Sequence, residues 1–194
     1  MIDEPEYQWG IMRRLVPLLL AALFLAGCAI NFKPVVKKDV AENARPRINA
    51  SIPVDVSDEF DKFIYVADYG VLGSTSDVLF GDGVRDIFPN YLKNIFTSVP
   101  YNIPGKSPGS YDFISSPRFI NTRFATGQKL TIETTVEILF VSEDKSTFVR
   151  LAGSGKDDGM YRDGYFHEDF GTAALTQALV NLRDEIYRNE ALFR

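Results

Sequence analysis

The chain has 194 residues, 45% of them hydrophobic and 13% aromatic, with one cysteine and a formal net charge of -5. A mildly acidic chain without a basic run carries no electrostatic footprint for nucleic acid, and a lone cysteine excludes an internal disulfide framework. The length suits a targeting segment followed by one domain of roughly 150 residues, a size that hides about 70% of its unfolded surface.

Residues Met1 to Ile11 include Asp3, Glu4 and Glu6, which are foreign to the positive start of an export signal. Arg13 and Arg14 supply that positive start directly after Met12, so Met12 is a candidate translation start. The alternative is an N-terminal extension that export tolerates. Leu15 to Ala26 is an apolar run interrupted by Pro17, and it is shorter than the roughly 20 residues a bilayer span takes. The run closes on Leu25-Ala26-Gly27-Cys28, small residues and a cysteine where a cleavage site belongs.

That tetrad resembles the lipobox of bacterial lipoproteins. The resemblance implies a signal peptide over residues 1–27, with signal peptidase recognition at Leu25, Ala26 and Gly27. It implies lipidation at Cys28, which is diacylated, freed as the new N-terminus and acylated again (a palmitate-type membrane anchor). Ala29 in place of Asp resembles the outer-membrane sorting pattern, so the expected location is the outer membrane with the domain facing the periplasm. At about 0.8 kcal/mol per buried methylene, three acyl chains make dissociation negligible. Loss of residues 1–27 removes two basic and three acidic residues and leaves a net charge of -4.

Residues 28–46 form the lipidated N-terminus and a polar stretch broken by Pro34 and Pro46, expected as a flexible tether reaching roughly 25 Å. The domain is expected over 47–194. Ile48, Ala50, Ile52, Val54 and Val56 alternate with polar residues as in a half-buried strand, with Pro53 placing it at an edge or a bulge. Phe63 to Tyr69 predicts a second strand, and Gly70 to Ser76 a loop. Val84, Ile87, Phe88, Tyr91, Leu92, Ile95 and Phe96 recur at helical spacing. Asp82 is a candidate cap and Asp86 suits the first turn, while Pro89 predicts a kink or a start nearer Phe88.

Tyr111 to Ile114 predicts a short strand ended by Ser115-Ser116-Pro117. Leu130, Ile132, Thr134, Val136, Ile138 and Phe140 share one face of a long strand over Lys129 to Ser142. Glu143-Asp144-Lys145 turns the chain into a hairpin partner over Ser146 to Ser154, and Lys156 to Glu168 reads as a charged surface loop. Thr172 is the expected cap of a last helix that lines up Leu175, Ala178, Leu179, Leu182 and Ile186. The fold expected is α+β: one antiparallel or mixed sheet of about four to five strands with two helices packed on one face.

Catalytic signatures are sparse. His167 is the only histidine and sits in a charged stretch, where it reads as a solvated imidazole. Gly153-Ser154-Gly155-Lys156 superficially suggests a phosphate loop, but Arg150 stands where its first glycine belongs and Asp157 replaces its Ser/Thr. Asp157, Asp158 and Asp163 do not keep calcium-loop spacing. Asp82 with Asp86, and Glu133 with Glu137, are carboxylate pairs of the type used in glycoside hydrolysis, yet Glu133 and Glu137 read as a solvated strand face. No enzyme activity, metal or cofactor is expected.

The element order is similar to small periplasmic lipoprotein domains of the lipopolysaccharide-assembly, YajG-like and exopolysaccharide-secretion (PelC-like) types. The likeness covers Arg47 to Arg194 in pattern and carries no diagnostic motif, so no residue role is carried over beyond Cys28. The expectation is a lipid-anchored, non-enzymatic component of a cell-envelope assembly or secretion machine that binds a protein partner or itself. The alternatives are an auxiliary transport lipoprotein binding an apolar ligand between helices and sheet, and an envelope hydrolase.

Overall fold

The computed structural model describes residues 30–32, 35–37, 39–42, 44–55, 64–68, 75–79, 84–85, 87–100, 111–125, 130–159 and 171–194. In chain order these form β1 (Ile30–Phe32), β2 (Ile48–Ser51), β3 (Ile64–Asp68), β4 (Thr75–Leu79), α1 (Phe88–Ile95) and β5 (Phe96–Ser98). They continue with β6 (Phe113–Ala125), β7 (Leu130–Ser142), β8 (Phe148–Gly159), α2 (Thr172–Arg188) and a 3-10 turn over Glu190–Phe193. The fold is α+β, as the alternating and helical periods indicate.

The strands do not form the single sheet expected. They divide into a β1-β4-β3 sheet, a parallel β2-β5 pair and an antiparallel β6-β7-β8 meander. The division between the last two has a covalent cause at Pro53. Beyond β2 the chain meets β6 through one parallel bridge at Val54 and Ser115. There the Ser115 N–H donates to Pro53 O at 2.9 Å and the Asp55 N–H to Ser115 O at 2.8 Å. Pro53 has no N–H with which to lengthen that ladder, and the β2-β5 register already shifts between Ile48 and Ser51.

β6 runs through Pro117, which had been expected to end it. Both main-chain groups of Ser115 point toward residues 53–55, and alternate residues of a strand aim their main-chain groups the same way. The Pro117 nitrogen therefore faces away from β7, where a missing N–H breaks no rung. β8 is also longer than expected and absorbs Lys156 to Gly159, which had been assigned to a loop. β4 likewise takes in Thr75 and Ser76 from the end of another expected loop.

β7 carries the core as its period demands: Ile132, Val136, Ile138 and Phe140 are fully buried, and Thr134 is buried among them. α2 lies against β8 and β7 and buries Leu175, Ala178, Leu179, Leu182 and Ile186. Two glycines set its height. A Cβ on Gly153 would fall 2.1 Å from Ala178 O, and one on Gly155 2.0 Å from Ala174 O. With Ala174 and Ala178 on the facing side, helix backbone rests almost directly on strand backbone.

α1 begins at Phe88 with Pro89 in its first turn, the position where a missing N–H costs nothing. Its cap position is Ile87, without a side-chain cap, and Asp82 and Asp86 lie outside the described residues. Phe96 leaves the helix and opens β5. α1 meets α2 through the buried Tyr91 hydroxyl, which donates to Leu179 O at 2.8 Å. The cap position of α2 is Gly171 at φ 83°, a left-handed conformation that suits glycine. Thr172 does not cap, because it is the first helical residue and not the cap; its hydroxyl accepts the Val35 N–H at 3.2 Å.

Candidate interaction surface

Leu25, Ala26, Gly27 and Cys28 lie outside the described residues, as do His167 and Asp163. The chain that follows the cysteine is partly fastened to the fold, in contrast to the free tether expected. Val36, Val40 and Ala41 are buried in the core. The segment follows α2 from one end toward the other: Val35 meets Thr172, and farther along Arg183 Nη1 donates to Glu42 O at 3.2 Å. Beyond that, Arg45 stands over the Tyr187 ring at 5.4 Å, a cation–π contact.

The meander has a second face, away from α2, whose composition changes along the strands. Register places Glu133 between Arg123 and Lys156, and Glu137 between Arg118 and Ala152. Glu137 is buried rather than solvated, and Arg150 Nε pairs with it at 3.5 Å. Toward the β7–β8 turn the same face becomes apolar. Ile114, Val141 and Phe148 stand opposite one another across three strands, with Leu139 on the next row. Ile114, Leu139 and Val141 are half-buried, and Phe148 is 64% exposed. Leu192, in the C-terminal turn at the same end of the domain, is 48% exposed.

Beneath this end the interior is closed by rings. Phe193 meets Phe140, Phe96 and Phe113 edge-on at centroid distances of 4.9, 5.3 and 5.4 Å. The turn above is held by Asp144, which accepts the Ser142 hydroxyl at 2.6 Å and the Ser146 N–H at 3.0 Å. Those bonds, the Ser142 hydroxyl foremost, lower its pKa to about 2. Lys145 takes the left-handed conformation that closes the loop, at φ 59°.

The residues weighed for chemistry fall elsewhere. Gly153-Ser154-Gly155-Lys156 is a stretch of β8, and its glycines admit α2. The backbones there are too close for a ligand between helix and strand at that level. Glu133 and Glu137 lie four residues apart on one strand, their Cα atoms roughly 13 Å apart, and Glu137 is buried and engaged by Arg150. A polar recess of about 610 Å³ beside β8 is lined by Glu133, Thr135, Ser154, Lys156, Gln177 and Asn181. Asn181 Nδ2 donates to Ser154 O there at 2.7 Å, and the Thr135 and Ser154 hydroxyls pair at 2.8 Å. Among the described residues no cluster of three His, Cys, Asp or Glu is formed, and no helix is long and apolar enough to cross a membrane.

No family model matches the chain, and no curated protein matches it. Solved structures do. Protein XCC0632 from Xanthomonas campestris, of the DUF330 family, matches with a TM-score of 0.55 at 13% identity, covering 84% of this chain and 99% of its own. A PelC dodecamer from Paraburkholderia phytofirmans matches with a TM-score of 0.36 at 17% identity over 73% of this chain and 92% of its own. A protein from Caulobacter crescentus described as a lipoprotein matches with a TM-score of 0.37 at 10% identity over 73% and 88%. What is shared with the Xanthomonas protein is the fold.

The alternation of β7 marks its core face and carries no signal for the apolar row on the other. The signal for that row is the unbroken run Ile138-Leu139-Phe140-Val141, since four consecutive apolar residues in a strand load both faces.

Proposed function

We propose that this chain is a lipid-anchored periplasmic component of a cell-envelope assembly or secretion machine, attached to the outer membrane through Cys28. It is non-enzymatic and acts by contact with a protein partner or with a second copy of itself. The observation that carries this reading is the row Ile114–Val141–Phe148, apolar side chains aligned across the outer face of three strands and ending in an exposed aromatic. An exposed aromatic next to half-buried aliphatics is the composition of an interface centre. β8 adds main-chain recognition. Among the described residues no strand pairs with its outer edge, and residues in phase with Ser154 aim their main-chain groups outward there.

The test places a photo-crosslinking residue at Phe148 and, in a separate protein, at exposed Ala173 of α2, both in membranes of the native cell. A discrete adduct from position 148, absent from position 173, is expected, and its mass separates a self-contact from a second protein. A protein that gives no adduct at 148 and stays monomeric at high concentration in detergent would overturn the reading. Incorporation of labelled palmitate, abolished by Cys28→Ser, tests the anchor separately.

A further inference from the structure

We infer that the α2 N-terminal end of the domain is the face that lies against the bilayer, and that the β7–β8 turn with its apolar row points away from the membrane. The inference rests on the reading of Cys28 as the lipidated residue, and it follows from the length of chain between that residue and the fold.

Val35 is fixed at the first residue of α2, its N–H on the Thr172 hydroxyl. Seven Cα–Cα steps separate it from Cys28. Three residues of that stretch, Ile30–Phe32, are β1 beside β4, and even fully extended the whole stretch reaches about 25 Å at most. The turn end is farther away than that. α2 runs antiparallel to β8, since Gly155 lies against Ala174 while Gly153 lies against Ala178 and Leu182. Rises of 1.5 Å per helical residue and about 3.3 Å per strand residue put Asp144 roughly 30 Å from Thr172. The acyl chains therefore cannot enter the membrane beside the turn.

The direction of the chain agrees. From Val35 at Thr172 it proceeds to Glu42 at Arg183, along α2 toward its C-terminus, so of the fastened residues the one nearest Cys28 in the chain sits at the helix N-terminus. The surface at that point suits a lipid headgroup layer. Val35 is 74% exposed, more than Phe148 or Leu192, and Lys37, two residues on, is exposed and basic. The fastening of residues 35–42 also keeps the domain close. A free tether would let it roam and tumble, whereas this one leaves the domain a short leash and a preferred side.

The test uses the full lipidated chain in vesicles that contain a spin-labelled lipid headgroup. Cys28 is blocked by its thioether, so an introduced cysteine alone takes a fluorophore. Lys37→Cys and Ala173→Cys mark the helix N-terminal end, and Lys145→Cys marks the turn; all three positions are exposed and outside the core. Quenching several-fold stronger at 37 and 173 than at 145 is expected. Equal quenching at all three, or stronger quenching at 145, overturns the inference while leaving the anchor intact. Mass spectrometry of the same protein reports the acyl chains. A mature chain without them, free of the vesicles, removes both the anchor and the orientation built on it.

Discussion

The two faces of the β6–β8 meander are made from the same three strands and obey opposite rules. The face toward α2 is dry and tight, and two glycines bring a helix backbone into contact with it. The face away from α2 is charged at one end, with a buried carboxylate beside an arginine, and apolar at the other, with an uncovered phenylalanine. One face was shaped by what covers it within the chain. The other leaves Phe148 largely exposed beside half-buried aliphatics, and exposed apolar area of this kind marks interaction surfaces. The difference is that the inner face accounts for stability, whereas the outer face is where the partner contact is proposed.

Substitutions should separate the two faces sharply. On the inner face, Phe140→Ala removes a ring that packs on Phe96 and Phe193, and we expect a loss of about 3–5 kcal/mol in urea unfolding. Gly155→Ala adds a single methyl group, yet its Cβ meets the Ala174 carbonyl, so α2 has to lift. A loss of at least about 2 kcal/mol is expected, against roughly 0.5–1 kcal/mol for Ala152→Gly on the outer face. A Gly155→Ala protein with unchanged unfolding would show that helix and strand are not in contact.

A smaller effect is expected at the helix–helix contact. Tyr91→Phe forfeits the bond to Leu179 O and should cost about 1 kcal/mol. Burial, opposed by the nearby Arg183, lifts the Tyr91 hydroxyl well above its ordinary value of 10.0. The folded chain then holds a proton that the unfolded chain releases. This contribution is fully present below pH 10 and is lost as pH climbs toward the folded value. Alkaline unfolding of the Tyr91→Phe protein should fall less steeply over that range, and equal slopes would remove Tyr91 as the cause.

On the outer face, Phe148→Ala should leave stability within about 0.5 kcal/mol while abolishing the adduct, read here from a crosslinker moved to neighbouring Lys145. A large loss of stability would instead make Phe148 part of the core. The slightest effect concerns the turn. Asp144 titrates at about 2 because serine donors hold its charged form, so its contribution is present above the ordinary 3.8 and disappears as pH falls through about 2. Carboxyl chemical shifts followed by NMR should show that low midpoint, and Ser142→Ala should raise it.

Much of this fold was legible from spacing. The period of two over Ile132 to Phe140 and the helical period over Leu175 to Ile186 placed the core residues on their correct face, since periodicity is a local property of backbone geometry. The start of α1 near Phe88 followed from Pro89, which tolerates only a first turn. Local signals were weaker where strands end, because a strand's length depends on its neighbour. Pro117 looked like a terminus until its nitrogen was seen to face away from β7, and Lys156 to Gly159 looked like a loop until β7 paired with them.

The sequence by itself determined which side chains share a face, the absence of any second cysteine, and a lipobox-like tetrad ahead of the domain. Only the tertiary structure decided that the strands part at Pro53, that Gly153 and Gly155 serve a helix, and that Val35, Glu42 and Arg45 are fastened along α2. It also decided which end of the domain the chain enters. The physical reason is that spacing encodes the direction a side chain takes from its own backbone, whereas pairing and close approach depend on groups far along the chain, 62 residues away at Ser115 with Pro53 and 137 at Val35 with Thr172.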